Sequence, residues 1–193
     1  NILLRWFTPE IEMDLCGHAT LATAYCLNSI LNYPDKSIKF ETKSGDISVD
    51  YKDGKYHMDF PSREPVKSDL PKLISKSLNL KPSEIYKSRD FLLIYNSEKE
   101  IKKIKINTRY FNKINLDPGG VVVTAKGTNS DFVSRYFTPQ STILEDPATG
   151  SSHCSLIPFW SKRLNKTHLT SIQLSKRIGE FECINHSKRV TVI

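Results

Sequence analysis

No stretch of this 193-residue sequence approaches the ~20 consecutive apolar residues of a membrane-spanning helix, which excludes a helical membrane protein. Cysteine is sparse. Cys16, Cys26, Cys154 and Cys183 form neither a Cys-x-x-Cys pair nor a regular framework, the pattern of reduced thiols in a cytoplasmic protein rather than of a disulfide scaffold. The spacings Cys16-x-His18 and His153-Cys154 match no usual zinc pattern, so no metal is expected. No glycine turn ends in Gly-Lys-Ser/Thr, which removes the nucleotide phosphate loop, and no Gly-x-Ser-x-Gly is present, which removes the serine-hydrolase elbow. The net charge is +7, but much of the excess lies in Lys99, Lys102, Lys103 and Lys105, spaced like the outer face of a helix. The basic stripe with exposed aromatics that nucleic acid requires is missing, so no nucleic-acid partner is expected. With 38% hydrophobic and 25% charged residues, the composition is that of a soluble globular protein with room for one large domain or two small ones.

What is present is a repeat. Arg5-Trp6-Phe7-Thr8-Pro9 recurs as Arg135-Tyr136-Phe137-Thr138-Pro139. Each copy leads into a glycine turn of small and polar residues, Cys16-Gly17-His18-Ala19-Thr20 and Asp146-Pro147-Ala148-Thr149-Gly150-Ser151-Ser152-His153, and then a helix-like run. Two copies point to two similar halves facing each other rather than to a solenoid, which needs at least three.

Residues 2–8 read as a strand. The run from Ala19 to Leu31 reads as a helix that is apolar almost all round, and therefore buried. Strands are expected over 38–42, 45–51 and 55–60, with turns at Ser44-Gly45 and Asp53-Gly54. Helices follow over 69–80 and 98–105, with a strand over 91–95 between them. Asp117-Pro118-Gly119-Gly120 reads as a turn and a domain join, dividing the chain into residues 1–116 and 117–193. Strands are expected over 121–125 and 132–138, then a helix over 152–164 in which Pro158 predicts a kink or a late start. The tail alternates as strand over 169–174, 180–184 and 189–193. Both ends read as mid-strand, so the chain is expected to lack the first strands of its first half and the last strand of its second. The fold class is α+β, each half a curled antiparallel sheet wrapped round one apolar helix.

Each glycine turn sets unpartnered backbone N–H groups at a helix N-terminus, where the macrodipole adds positive potential. Two such ends face to face suit a small carboxylate or phosphate. The side chains at hand are Cys16, His18, Asp146, Thr149, Ser151 and His153. Each also has a plain structural reading: Cys16 as a buried filler, His18 as a helix cap, Asp146 as a turn starter before Pro147, His153 as a packing residue.

At these residues a family resemblance emerges. Leu4–Pro9 followed by Leu15-Cys-Gly-His-Ala-Thr-Leu21 resembles the first signature of the PhzF-like phenazine biosynthesis family, and Glu145-Asp-Pro-Ala-Thr-Gly-Ser-Ser-His153 its second. Gly119–Gly127, Asp131–Pro139 and Phe159-Trp160 fit as well. In this reading the likeness is strongest to the animal phenazine biosynthesis-like domain proteins. The resemblance implies the diaminopimelate-epimerase fold, two pseudo-symmetric domains, each a β-barrel around a central helix, with the site in the cleft between them. It implies an isomerase or epimerase that moves a proton on a small carboxylate without metal or organic cofactor, as a monomer with paired domains or a homodimer.

By the same resemblance His18, Asp146 and Ser151 occupy the polar catalytic positions. Gly17, Gly150 and Thr149 lie where the carboxylate is held, and Cys16 and His153 are further candidates. The family's principal acid/base is a glutamate in a Ser-Glu-Thr segment that this chain does not contain, and Glu10 and Glu12, which follow the first strand, do not replace it. A non-catalytic binding homologue or an incomplete fragment is therefore the alternative. Cys16 matches one thiol of the two-thiol racemases, whereas Thr149 stands at the second position, which argues against two-thiol chemistry here. Arg177-Ile178-Gly179 replaces a frequent Arg-Gly-Gly and puts that turn in question.

Overall fold

The computed structural model describes residues 1–8, 12–116, 119–139 and 141–193. The first half supplies β1 (Ile2–Leu3), β2 (Trp6–Phe7), β3 (Glu12–Met13), α1 (Gly17–Tyr25), β4 (Ser37–Thr42), β5 (Gly45–Lys52) and β6 (Lys55–Pro61). Then come β7 (Val66–Lys67), α2 (Lys72–Ser77), β8 (Glu84–Lys87), β9 (Phe91–Ile94), α3 (Glu98–Lys103) and α4 (Thr108–Phe111). The second half adds β10 (Val121–Lys126), β11 (Phe132–Phe137), β12 (Glu145–Asp146), α5 (His153–Leu164), β13 (His168–Gln173), β14 (Gly179–Asn185) and β15 (Arg189–Val192). The fold is thus mixed α+β and mostly sheet.

The turns behave as their residues dictate. Asp53 and Gly54 both take positive φ (53° and 76°), the geometry of the tight hairpin that Asp-Gly favours, and β5 pairs with β6 across it. β9, β10 and β11 are buried on both faces: Leu92, Ile94, Val122 and Phe132 enter one core, while Phe91, Leu93, Val121, Val123 and Val133 enter the other. A strand covered on both sides reads as a continuous apolar run, which is why Val121-Val122-Val123 shows no alternation.

Among the described residues the two halves are joined through a shared sheet. Thirteen strands form one sheet in the order β1-β4-β5-β6-β15-β14-β13-β11-β10-β9-β8-β7, with β12 hanging on β11. β15 pairs with β6, so the last strand of the chain joins the second half to the first. Residue 117 falls within the span of chain that builds the second core. The second core takes Ile74, Phe91, Ile101 and Phe111 from before it and Val121, Val123 and Phe137 from after it. Asp117 and Pro118 of the expected join, like Glu10, lie outside the described residues.

The two long helices differ in a way the sequence hides. In α5, all nine residues from His153 to Ser161 are buried, against β13, β14 and β15. Pro158 sits inside this helix without delaying its start. Because Pro158 has no N–H, the carbonyl of Cys154 loses its helical donor, and Arg63 N–H supplies the bond instead at 2.8 Å. α1, by contrast, buries only the small stripe Gly17, Thr20 and Ala24, which lets it lie close to β6. Leu21, Tyr25, Ile30 and Leu31 are exposed, so the expectation of a fully buried helix is corrected. Beyond Tyr25 the helix continues as a π-helical turn, Cys26–Ile30. No helix among the described residues is long and apolar enough to cross a membrane.

Candidate functional site

The aromatic pairs of the two repeats, Trp6-Phe7 and Tyr136-Phe137, make the same antiparallel strand pairing. In the first, Phe7 pairs with Glu12 and Trp6 with Met13; in the second, Phe137 pairs with Glu145 and Tyr136 with Asp146. Each arginine forks onto its glutamate: Arg5 Nε and Nη2 reach Glu12 at 2.8 and 3.1 Å, and Arg135 Nε and Nη2 reach Glu145 at 2.7 and 2.8 Å. Each guanidinium also stacks on its own phenylalanine, 4.8 Å from Phe7 and 4.9 Å from Phe137. From these strand pairs the pseudo-symmetry runs residue by residue into the turns: Met13 matches Asp146, Cys16 matches Thr149, Gly17 matches Gly150 and His18 matches Ser151.

The two glycines meet. A Cβ on Gly17 would stand 2.9 Å from Gly150 Cα, and a Cβ on Gly150 would stand 3.2 Å from Gly17 Cα. Only glycine permits the turns this approach, which brings the leading N–H groups of α1 and of the turn opening α5 to one place. These N–H groups lack intrahelical acceptors. Both turns line a cavity of about 280 Å³, with Asp14, Arg89, Asn115 and Tyr136 along its walls.

The structure brings Cys16, Gly17, His18, Asp146, Thr149, Gly150 and Ser151 together on that cavity. His18 is exposed at its edge. Its Nε2 lies 3.5 Å from Cys16 Sγ, and its pKa is raised, first by that thiol contact and further by the charges of Cys16 and Asp146, against an opposing desolvation. The ring therefore holds its proton to higher pH than an ordinary histidine. Cys16 is half-buried, lines the cavity and also packs against the first core.

The second turn is clamped from behind. Gln173 is fully buried; its Oε1 accepts from Thr149 N–H at 2.8 Å, and its Nε2 donates to the Asp146 carbonyl at 2.6 Å and to Thr149 Oγ1 at 3.1 Å. Ser175 Oγ donates to the Pro147 carbonyl at 2.6 Å.

His153, the remaining candidate, is not a cavity residue. It is fully buried, with Nδ1 2.9 Å from the Thr149 carbonyl and Nε2 2.8 Å from Ser171 Oγ. A carbonyl only accepts, so Nδ1 carries the proton and Nε2 accepts from the serine hydroxyl. Burial pushes its pKa down to about 4, so the ring is neutral. Its place in the sequence beside the glycine turn suggested chemistry, but helical phase turns it into the core.

A chain of buried and half-buried charges beside the cavity has no counterpart in the sequence reading. Arg89 spans Asp14 (Nη1 to Oδ1, 3.0 Å) and Asp90 (Nη2 to Oδ2, 2.9 Å), and Arg63 Nη2 reaches the other oxygen of Asp14 at 2.9 Å. Tyr136 O–H and Gly120 N–H both donate to Asp90 Oδ1, at 3.0 and 2.8 Å. The one local signal is Arg89-Asp90 placed directly before the apolar run Phe91–Tyr95: two opposite charges on the lip of a buried strand.

Comparisons agree with this geometry. A Pseudomonas aeruginosa protein described as an uncharacterised isomerase is 40% identical over 189 residues, covering 98% of this chain and 72% of its own length. A mouse phenazine biosynthesis-like domain-containing protein is 34% identical over 201 residues, covering 93% and 68%, so the bacterial protein is the more alike of the two and the expected lean toward animal proteins does not hold. The crystal structure of a PhzF-family phenazine biosynthesis protein from Enterococcus faecalis superposes with a TM-score of 0.88 at 41% identity, covering 98% of this chain and 73% of that one. The sequence profile of the phenazine biosynthesis-like proteins matches residues 1–192. With both signatures folded as one paired-turn site, this chain belongs to the phenazine biosynthesis-like protein family.

Proposed function

We propose that this protein is an isomerase that moves a proton along the skeleton of a small carboxylate, using its own side chains as acid and base. The observation that carries the reading is the contact of Gly17 with Gly150, which sets the leading turns of two helices side by side on one cavity. An anion there needs no lysine. The isomerase description of the Pseudomonas relative supports the reaction class.

In this reading the substrate carboxylate lies against the N–H groups of Gly17, His18, Gly150 and Ser151. Asp146 takes a proton from carbon. His18, kept protonated by its neighbours, returns one at the new position. The charge that develops is met by fixed donors already in place, because Gln173 and Ser175 hold the second turn before substrate arrives. The scheme calls on no metal and no organic cofactor.

The test is incubation with a panel of small unsaturated and α-substituted carboxylates in heavy water, followed by NMR and mass spectrometry. At least one acid should take up deuterium at carbon, and Asp146→Asn should slow that uptake by about 10²–10⁴-fold, the usual contribution of a positioned acid or base. Unlabelled acids throughout, or an Asp146→Asn protein as fast as the wild type, would refute the proposal.

A further inference from the structure

We propose that Arg89 is a positioning residue that holds Ser151 as an obligate hydrogen-bond donor, so that the cavity favours a carboxylate ligand carrying a second, acceptor oxygen on the Ser151 side. The inference deepens the function proposed above and rests on it for the carboxylate.

The argument starts from where the guanidinium spends its donors. Nε and Nη2 go to the two oxygens of Asp90, at 3.2 and 2.9 Å, and Nη1 goes to Asp14 at 3.0 Å. The second Nη2 proton goes to Ser151 Oγ at 3.1 Å. A guanidinium has no acceptor atom, so at this contact the serine oxygen can only accept. The hydroxyl proton must then leave in another direction. Among the described residues Ser151 Oγ makes no other hydrogen bond, and the residue lines the cavity, so its proton is offered to whatever fills that space. A cation behind the hydroxyl also polarises it and makes it the stronger donor.

Arg89 itself is fixed. Its side chain is 9% exposed and Asp90 is 2% exposed, and Asp90 is further held by Tyr136 and Gly120. Two aspartates and two arginines along this chain cancel in charge, but burying them costs desolvation that apolar residues would not incur. The expense fits a part kept for orientation. It also gives the pseudo-symmetric site its polarity: the His18 side carries a movable proton, and the Ser151 side carries a donor whose direction is set. A substrate with a carboxylate at the glycines and an oxygen toward Ser151 would have that oxygen bound as its charge develops.

The experiment has two arms. Affinities of wild type, Arg89→Lys, Arg89→Met and Ser151→Ala are measured by calorimetry for benzoate and for its 2-, 3- and 4-formyl derivatives, whose added oxygen only accepts. Wild type should prefer at least one formyl isomer over benzoate by roughly 3–10-fold, the range of one net hydrogen bond. All three variants should lose that preference. Because the ratio is read, a general weakening of anion binding cancels. In the second arm, ligand-free crystal structures of wild type and the Arg89 variants should show Ser151 leaving its rotamer when the guanidinium is gone. Arg89→Met strands two carboxylates and can fail to fold; Arg89→Lys keeps the charge but not the fork, and carries both arms alone. A preference absent from wild type or retained in Arg89→Lys, or an unmoved Ser151, overturns the assignment. Failure of wild type to bind benzoate instead counts against the carboxylate reading, and the Ser151 rotamer in Arg89→Lys then decides the role of Arg89.

Discussion

Replacing Gly17 by alanine puts a methyl group 2.9 Å from Gly150 Cα and 3.4 Å from both Gly150 N and C. Carbon atoms rest best at about 3.5–4.0 Å, so the two turns must part by roughly 0.6–1.1 Å. All three obstructing atoms are backbone, and Gly150 is tied through Thr149 to Gln173, so no side chain can swing aside. Overpacking of this kind costs about 1–3 kcal/mol. The mirror change is milder. A methyl on Gly150 meets Gly17 Cα at 3.2 Å and nothing else nearer than 3.9 Å, so a few tenths of an ångström relieve it. Urea unfolding should therefore rank wild type above Gly150→Ala and Gly150→Ala above Gly17→Ala. Deuterium uptake by substrate should fall further than stability, since about 1 Å of misplacement can cost 10²-fold in rate. A Gly17→Ala protein with the wild-type midpoint, or one more stable than Gly150→Ala, would refute the close approach on which the site depends.

Ile178 takes φ of 56°, a left-handed conformation that a β-branched residue reaches only under strain, and its side chain is 58% exposed. The turn left in question by Arg177-Ile178-Gly179 does form, at that expense. Ile178→Gly should relieve about 1–2 kcal/mol of strain, offset by about 0.5–1 kcal/mol of unfolded-state entropy, and raise the melting temperature by a degree or more; an unchanged or lower melting temperature would contradict this. His153 titrates near 4 when folded against an ordinary value of 6.5, so the unfolded chain binds its proton first as pH falls. Its effect is nil above pH 6.5, grows as pH drops from 6.5 to about 4, and then levels at a loss of about 3 kcal/mol. Unfolding of His153→Gln should show a shallower decline across that window, and an identical decline would place the titrating group elsewhere.

The architecture was legible where local chemistry and packing agree. Asp53-Gly54 states a hairpin by itself, and the doubled Arg-x-Phe-Thr-Pro motif announced two similar halves, in both of which its arginine forks onto a glutamate. The charged run at Lys99, Lys102, Lys103 and Lys105 is exposed, with Ile101 and Ile104 turned inward, as its spacing implied. Other features depend on neighbours that periodicity cannot name. The apolar residues of α1 fit a buried helix, yet the face that packs is the one made of Gly17, Thr20 and Ala24. β15 pairing with β6, which closes the halves together, joins residues about 130 positions apart, as the Arg189–Asp59 bond across that pair shows. In the site, the turns carried their own signal, but Arg89 lies 62 positions before Ser151 and Gln173 lies 24 after Thr149, so the residues that orient the turns left no motif around them.

The most direct test of the paired-turn anion site is a titration of the ¹⁵N-labelled protein with benzoate, followed by backbone amide NMR. The account predicts that the amides of Gly17, His18, Gly150 and Ser151 shift most and saturate together, with a single dissociation constant. Shifts centred on the lysines of residues 99–105, or confined to one of the two turns, would contradict it.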